Sequence, residues 1–325
     1  MTVIDGYSTT RATCVLAPNP SPMTLDGTNT WVIGEPGGSS AVVVDPGPLD
    51  DGHLRRVMDA AGERHVVMIL LTHGHPDHAE GARRFAEMSG APVRAADPAH
   101  RLGAAGLADG DVIDAGGCDL LAVATPGHSG DSVSLLLPED RALLTGDTVL
   151  GRGTTVIAHD GNLGAYLRTL DRLRSFVDQR NIGLLLPGHG PVLDDPGGTL
   201  DYYIAHRAER LDQIRAAVAA GARTPAEIVA LVYADVDTSL RPAAEWSVRA
   251  QLDYLGLPLP GSRPLACPAA ARGYLARLRR RSWSRISTER AEICSQPRAA
   301  KSASALFTVS RDAPTSCASS SCVRS

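Results

Sequence analysis

The stretch Leu71-Thr-His-Gly-His-Pro-Asp-His78 contains three histidines and one aspartate within six residues. It continues the apolar run at residues 66–71, which predicts a buried strand, so the polar cluster lies where that strand ends. In an extended segment His73 and His75 point to the same side, and the proline then sets a turn that directs the last two polar residues to a second position nearby. Imidazole and carboxylate groups bind divalent metals such as zinc. The pattern therefore predicts a metal site.

Three later segments share one organisation: an apolar run, a Gly or Pro-Gly turn, and a side chain able to bind metal. They are Ala122-Val-Ala-Thr-Pro-Gly-His128, Arg141-Ala-Leu-Leu-Thr-Gly-Asp147 and Gly183-Leu-Leu-Leu-Pro-Gly-His-Gly190. A glycine permits a close turn after a strand. One histidine after Pro-Gly is usually a surface residue, but three such strand ends, together with the first cluster, indicate a shared site. An earlier run ends in Asp45, before Pro-Gly; it either orients a ligand or opens a turn.

The order His-x-His-x-Asp-His, followed by His, Asp and His on later strand ends, resembles the metallo-β-lactamase superfamily. The resemblance implies an α/β fold, an αββα sandwich with two divalent metal ions, expected to be Zn²⁺, along one edge. It also implies that Asp45 supports the ligands. The residues that it assigns to the metals are His73, His75 and His128 for the first ion, Asp77, His78 and His189 for the second, and Asp147 as the bridge.

Two further motifs, at residues 23–31 and 146–155, are similar to the β-lactamase-like protein 2 group, which has a C-terminal winged-helix domain. Animal members of that group are described as endoribonucleases, and many bacterial relatives as metal-dependent hydrolases. Many β-lactamases of the superfamily have a cysteine in a metal shell, so an aspartate at position 147 disfavours antibiotic hydrolysis. A redox branch with two irons carries an added flavin domain, and no flavin-binding motif follows residue 189.

The chain of 325 residues exceeds the usual size of a single core. We predict a catalytic domain at residues 1–196, a helical, winged-helix-like domain at 197–257, and a basic tail rich in Ser, Arg and Cys at 258–325. Helical spacing predicts one helix over 197–221 and another over 243–255. Between them Thr224-Pro-Ala-Glu227 is a capping box. These helices could bind nucleic acid, pack over the rim of the site or form a homodimer.

Charge is distributed unevenly. Residues 258–325 contain 12 Lys and Arg against 3 Asp and Glu, which leaves 20 basic and 33 acidic residues in 1–257. An acidic body repels a polyanion, whereas nucleic-acid-binding proteins usually present a basic surface. Arg152 and Arg207 could still attract an anionic substrate locally. The tail contains a run that could form a basic helix at 272–286, and its cysteines lack Cys-x-x-Cys spacing.

The sequence contains no apolar stretch long enough for a transmembrane helix and no secretory signal, so a cytoplasmic protein is expected. Five residues near the motifs are candidates for substrate contact because their side chains can donate hydrogen bonds to substrate oxygens. They are Asn29, Thr30, Thr154, Thr155 and His206.

These features predict a metal-dependent hydrolase in which a metal-bound hydroxide attacks an ester or phosphodiester bond, with RNA as one candidate substrate. Asp77 is placed to bind metal and to orient the nucleophile or carry its proton. One alternative is a hydrolase of small thioesters resembling glyoxalase II. An alternative of another class is a non-catalytic metal-binding interaction protein, although such a protein has no use for an open binuclear centre.

Overall fold

The computed structural model describes residues 4–257, whose ten strands form two five-stranded sheets. The first sheet contains, in spatial order, β1 (Ala12–Leu16), β2 (Asn29–Ile33), β3 (Ser40–Val44), β4 (His65–Leu70) and β5 (Val93–Arg94). The second contains β10 (Leu184–Pro187), β9 (Ala142–Gly146), β8 (Val133–Leu137), β7 (Asp119–Ala124) and β6 (Val112–Asp114).

Seven α-helices of the described residues accompany the sheets. Three belong to the first half of the described chain: α1 (Asp51–Ala61), the single turn α2 (Pro76–Ala79) and α3 (Ala82–Ser89). The helix α4 (Leu163–Arg180) precedes the final strand of the second sheet, and three helices follow that strand: α5 (Pro196–Ala219), α6 (Pro225–Val232) and α7 (Arg241–Leu255).

Parallel pairing within both sheets aligns the strand ends that carry the candidate ligands. In the first sheet β3, β4 and β5 run parallel, and Val44 lies opposite Leu70. In the second sheet β9 and β10 run parallel, and Gly146 lies opposite Pro187. Because the carboxyl ends of parallel strands meet at one edge, the residues that follow these strands become neighbours.

The two sheets pack face to face, and alternate residues of each strand serve different cores. Val42 and Val44 of β3 face the core between the sheets, with Leu135 and Leu144 of the second sheet. Val43 faces the opposite way, into a core with side chains of α1 and α3. A third core joins the outer face of the second sheet to α4 and α5. The order is helix, sheet, sheet, helix, which confirms the predicted αββα sandwich.

The C-terminal helices follow the predicted pattern closely. The helix expected over 197–221 is α5, and the helix expected from residue 243 begins two residues earlier as α7. Thr224 Oγ1 accepts from the Glu227 N–H at 3.2 Å, but the Glu227 carboxylate accepts from Arg223 N at 2.6 Å rather than from Thr224 N. The capping box is therefore closed one residue earlier than in the standard motif.

The helix α5 contributes to two cores. Its first half packs on the sandwich, and its second half joins α6 and α7 in a separate small core around Ile214, Ile228 and Val248. The domain division at 196/197 stays a prediction, and the tail with its predicted helix at 272–286 lies outside the described residues. Within residues 4–257, no helix combines the length and apolarity needed to cross a membrane.

Candidate metal centre

The seven predicted ligands lie together at the edge where the strands of both sheets end. The first cluster follows β4, His128 follows β7, Asp147 follows β9 and His189 follows β10. The two sheets are joined at this edge because the Val133 N–H donates to the carbonyl of Thr72 at 2.8 Å. Residues far apart in the sequence thus meet because each one follows a strand of the sandwich.

Three imidazoles form the first group. His73 Nε2 and His128 Nε2 each lie 3.0 Å from His75 Nδ1. The remaining nitrogens of two of these rings face acceptors: His75 Nε2 lies 2.7 Å from Asp160 Oδ2, and His128 Nδ1 lies 2.9 Å from the carbonyl of Val156. Each of these outer nitrogens therefore donates, and the inner nitrogen of the same ring carries a lone pair.

The third ring of this group has the same orientation. His73 Nδ1 lies 3.0 Å from Thr72 Oγ1, and that hydroxyl donates its own hydrogen to Asp45 Oδ2 at 2.6 Å. The hydroxyl must then accept from the ring, so His73 Nε2 also carries a lone pair. Three lone pairs converging at about hydrogen-bond distance repel one another unless a cation lies between them, so the group fits a metal ion.

Asp77, His78 and His189 form the second group. His189 Nε2 lies 3.1 Å from Asp77 Oδ2 and 3.2 Å from His78 Nε2, and His78 Nε2 lies 3.4 Å from Asp77 Oδ2. The outer nitrogens again donate, His78 Nδ1 to Asp45 Oδ2 at 2.9 Å and His189 Nδ1 to the carbonyl of Gly27 at 3.1 Å. A carboxylate and two inward lone pairs form a second set suited to a cation.

Asp147 lies between the two groups. Its Oδ2 is 3.3 Å from His189 Nε2 and 3.7 Å from His128 Nε2, and its Oδ1 is 3.4 Å from His78 Nε2. Oδ1 is buried and has no hydrogen-bond partner within the described chain. A buried carboxylate oxygen without a donor is costly unless a cation compensates it. The donor set therefore fits metal ions on both sides of this carboxylate.

Burial and neighbouring charges favour the metal-binding protonation states of His73, His128 and Asp147 in the metal-free chain, whereas His189 holds a proton that a metal ion would displace. Burial, with the charge of His78, holds the pKa of His73 well below its usual value, and burial also lowers the pKa of His128. Burial opposes ionisation of Asp147, but His189 and His78 outweigh it and hold the pKa of this carboxyl well below its usual value. Burial also opposes a charge on His189, yet Asp147 outweighs it and raises the pKa of this imidazole to about 9.

Asp45 supports one histidine of each group, because it accepts directly from His78 and contacts His73 through the Thr72 hydroxyl. Its Oδ1 accepts from the Thr72 N–H at 2.7 Å, and its Oδ2 accepts from Thr72 Oγ1 and from His78 Nδ1. Asp45 itself adopts a left-handed conformation (φ 51°), which aspartate tolerates better than most residues. Of the two interpretations of Asp45, the support of a ligand is the one that these contacts favour, and the turn chemistry of Asp-Pro-Gly accompanies it.

Gly188 approaches the centre too closely for any side chain. A Cβ at this position would lie 2.6 Å from Asp147 Oδ1 and 2.8 Å from His78 Cε1. Both distances are far inside van der Waals contact. The Pro-Gly-His turn after β10 therefore needs its glycine because of space.

Three of the residues predicted to contact substrate are buried and bonded to the backbone. The Asn29 amide donates to two carbonyls of the turn after β10, at 2.9 Å each. Thr30 Oγ1 donates to the carbonyl of Asp45 at 2.7 Å, and Thr155 Oγ1 donates to the carbonyl of Asp147 at 2.8 Å. Their side chains thus hold the segments that carry the candidate centre.

The other two, Thr154 and His206, lie half-buried beside each other, with Thr154 Oγ1 3.4 Å from His206 Nε2. Burial and the charges of Arg207 and Arg210 lower the pKa of His206 to about 4, so this ring is neutral at pH 7. Contact of these two residues with substrate stays a prediction.

Asp160, which accepts from His75, is a neighbour of the candidate centre that the sequence did not indicate. It stands in a His-Asp-Gly turn, 85 positions from its partner. A cavity of about 480 Å³ opens beside this pair. Its polar lining includes His100, Asp97 and Asp131 as well, and none of the described residues that line it is lysine or arginine. The wall next to the candidate centre is therefore acidic.

Residues 23–189 match the sequence profile of the Metallo-beta-lactamase superfamily, and residues 224–255 match that of the Beta-lactamase associated winged helix domain. The second match covers α6 and α7 and confirms a winged-helix domain in the C-terminal part of the described chain. Among solved structures, a metallo-beta-lactamase family protein from Thermus thermophilus has the same fold, with a TM-score of 0.63 and 22% identity; the match covers 75% of this chain and 92% of that chain.

Two named relatives match most of the described chain. The beta-lactamase-like protein 2 homolog of Caenorhabditis elegans is 32% identical over 260 residues, which cover 75% of this chain and 83% of the relative. The atrochrysone carboxyl ACP thioesterase of Aspergillus fumigatus is 33% identical over 247 residues, which cover 69% of this chain and 73% of the relative. The resemblance to the β-lactamase-like protein 2 group is thereby confirmed.

Proposed function

The chain belongs to the metallo-beta-lactamase superfamily of hydrolases, and on that premise we propose that it is a binuclear enzyme with two divalent ions, expected to be Zn²⁺. The seven residues at the strand ends would hold them, as the resemblance assigns. The observation that carries the proposal is Asp147, whose two oxygens reach both groups while one of them lacks any donor among the described residues.

When bound, two such ions supply a water nucleophile at neutral pH and stabilise negative charge on the substrate oxygen. Among the protein groups, Asp77 is the carboxylate with the larger access to solvent, at 27% exposure against 11% for Asp147. Burial opposes its ionisation, but His78 and His189 outweigh it and hold the pKa of Asp77 well below its usual value. Asp77 is therefore an ionised acceptor that orients the attacking water by a hydrogen bond.

The substrate class that we favour is an ester or thioester of a small molecule. The acidic wall around Asp97, Asp131 and Asp160 repels a polyanion and admits a neutral group. A relative of similar length is named a thioesterase, which supports the same choice. Hydrolysis of a phosphodiester in RNA is the second candidate. The chain resembles the β-lactamase-like protein 2 group, whose animal members are described as endoribonucleases.

The test compares both substrates on the full-length protein loaded with zinc. We expect release of thiol from a neutral acyl thioester such as S-acetyl-N-acetylcysteamine, followed with a thiol reagent, and no cleavage of a single-stranded RNA. Asp77→Asn should lower kcat/KM by about 10²–10⁴-fold. The matched control is Asp26→Asn, an exposed aspartate paired with Arg152, which should retain activity.

The opposite preference, with RNA cleaved in low salt and the thioester untouched, would replace the favoured substrate by the second candidate. Binding of fewer than two ions per chain would contradict the binuclear proposal. Two bound ions without turnover of any ester, thioester or RNA would favour the non-catalytic alternative. We also propose the domain division at 196/197 and a cytoplasmic location, and a homodimer through the C-terminal helices stays a prediction.

A further inference from the structure

Arg207 occupies a core position of α5. It lies on the same helical face as Leu200, Tyr203 and Leu211, and all four residues are buried, Arg207 with 4% exposure. An apolar residue is expected at such a position because burial of an unpaired charge is costly. A guanidinium group at this position therefore destabilises the core unless its contacts compensate for its lost hydration.

The contacts of Arg207 lead away from the helix and towards the segment after β9. Its guanidinium carbon lies 5.1 Å from the centre of the Tyr166 ring, and its Nη2 donates to the carbonyl of Thr155. Its Nε is buried without a hydrogen-bond partner among the described residues. The charge is thus met by an aromatic face and a backbone carbonyl.

Thr155 connects this contact to the candidate centre. Its hydroxyl donates to the carbonyl of Asp147 at 2.8 Å, so two consecutive hydrogen bonds join Arg207 to the backbone of Asp147. The Tyr166 hydroxyl donates to the neighbouring carbonyl of Thr148 at 2.7 Å. Within the described chain, the Asp147 carboxylate oxygen Oδ1 has no donor of its own. Its direction therefore depends on the backbone that these residues hold.

We infer that Arg207 is a positioning residue for Asp147: through Thr155 it fixes the segment that directs this carboxylate between the two histidine groups. This inference rests on the proposed function, because it assigns a role relative to the two metal sites. It also makes α5 a functional part of the centre, since this helix supplies the guanidinium from the C-terminal side of the chain.

The helix offers a matched control three residues further on. Arg210 also lies over a tyrosine ring, with its guanidinium carbon 4.6 Å from the centre of Tyr233, and also donates to a backbone carbonyl, that of Val232 at 2.6 Å. These contacts lead to α6 and not to the metal centre. Replacing either arginine by methionine removes a charge, a ring contact and a hydrogen bond to a carbonyl while keeping much of the volume.

The experiment measures zinc affinity of the full-length protein by competition with a chromophoric chelator, together with the Tm of the metal-free protein. For Arg207→Met we expect about tenfold weaker binding of at least one ion, as for loss of a group that orients a ligand. For Arg210→Met we expect an affinity within about twofold of the wild type, since its contacts do not reach a ligand. Both variants should lower the Tm of the metal-free protein.

Equal zinc affinity of the Arg207→Met variant and the wild type would overturn the inference while leaving the proposed function intact. A wild type that binds no zinc would instead reject the proposed function. If Arg207→Met fails to fold, Thr155→Val decides, because it removes the hydroxyl that connects the Arg207 contact to the carbonyl of Asp147. Its zinc affinity should fall by about tenfold, and an affinity equal to that of the wild type would refute the role.

Discussion

Asp45→Asn is the substitution that tests the metal centre with the least disturbance of shape. Asparagine keeps the size of the side chain and also tolerates the left-handed backbone at this position (φ 51°). It removes the negative charge behind His78 and replaces one acceptor oxygen by an NH₂ group, which can only donate. We expect weaker metal binding with the fold retained.

The magnitude follows from the three hydrogen bonds that reach the carboxylate, two from Thr72 and one from His78. If the amide oxygen replaces Oδ1 and serves the Thr72 N–H, the Thr72 hydroxyl and His78 Nδ1 then face a donor. Hydrogen bonds to a charged group contribute about 1.5–3 kcal/mol each. Loss of a group that orients a ligand typically lowers metal affinity about 10–100-fold, which corresponds to about 1.4–2.7 kcal/mol.

The assay is a competition titration of the full-length variant with zinc and a chromophoric chelator at a fixed pH of about 7.5, because metal binding displaces protons from the ligands and the affinity therefore depends on pH. Asp160→Asn is the control, because Asp160 also accepts from a ligand histidine but has a side chain that is 37% exposed. Water can replace the lost acceptor there, so we expect less than about a threefold loss. An unchanged affinity in Asp45→Asn, or a larger loss in Asp160→Asn, would show that buried support of His78 is not what holds the ligands.

Three further predictions follow from the structure. Gly188→Ala should abolish binding of zinc at the second group because of its clash with Asp147, whereas Gly183→Ala, whose Cβ meets nothing closer than 3.5 Å, should bind normally; equal zinc content in the two variants would contradict this. Burial lowers the pKa of His53 from its ordinary value of 6.5 to about 4 in the folded chain. As the pH falls, the His53 imidazole is therefore protonated in the unfolded chain before it is protonated in the folded chain, and the folded state loses stability. The metal-free wild type should therefore lose about 2 kcal/mol more unfolding free energy between about pH 7.5 and about pH 5 than His53→Gln, measured by urea denaturation; equal losses would refute the effect. Thr224→Ala should cost about 1 kcal/mol of stability through loss of the α6 cap, and an unchanged urea midpoint would exclude that contribution.

The sequence predicts where the candidate ligands lie in the fold because each of them follows a strand with a clear apolar run. The end of β10 is an example: the run at 184–186, the Pro-Gly turn and His189 lie within six residues and need no distant information. The helices α5 and α7 are predicted within two residues for a similar reason, since helical spacing of apolar side chains is a local pattern.

Contacts between distant segments are what the sequence does not reveal. Asp160 and His75 are joined only after the sandwich has formed, and nothing in the turn around Asp160 distinguishes it from a surface acid. The sequence suggests Arg207 as a local positive charge for substrate, whereas the structure places it in the core, bound to Thr155. A polar residue on the apolar face of α5 was the available signal, and spacing alone could not name its partner.

The two groups draw on residues that are far apart in the order of synthesis. The three imidazoles of the first group lie within residues 73–128, whereas the second group also needs His189, whose ring is bonded to the carbonyl of Gly27, 162 positions earlier. Synthesis at about 5–20 residues per second separates the appearance of His128 and His189 by about 3–12 s. The outer nitrogens of His75 and His128 contact Asp160 and Val156, which also follow His128 in the chain. Both groups therefore reach their final arrangement only late in synthesis, after most strands of the sandwich have been made.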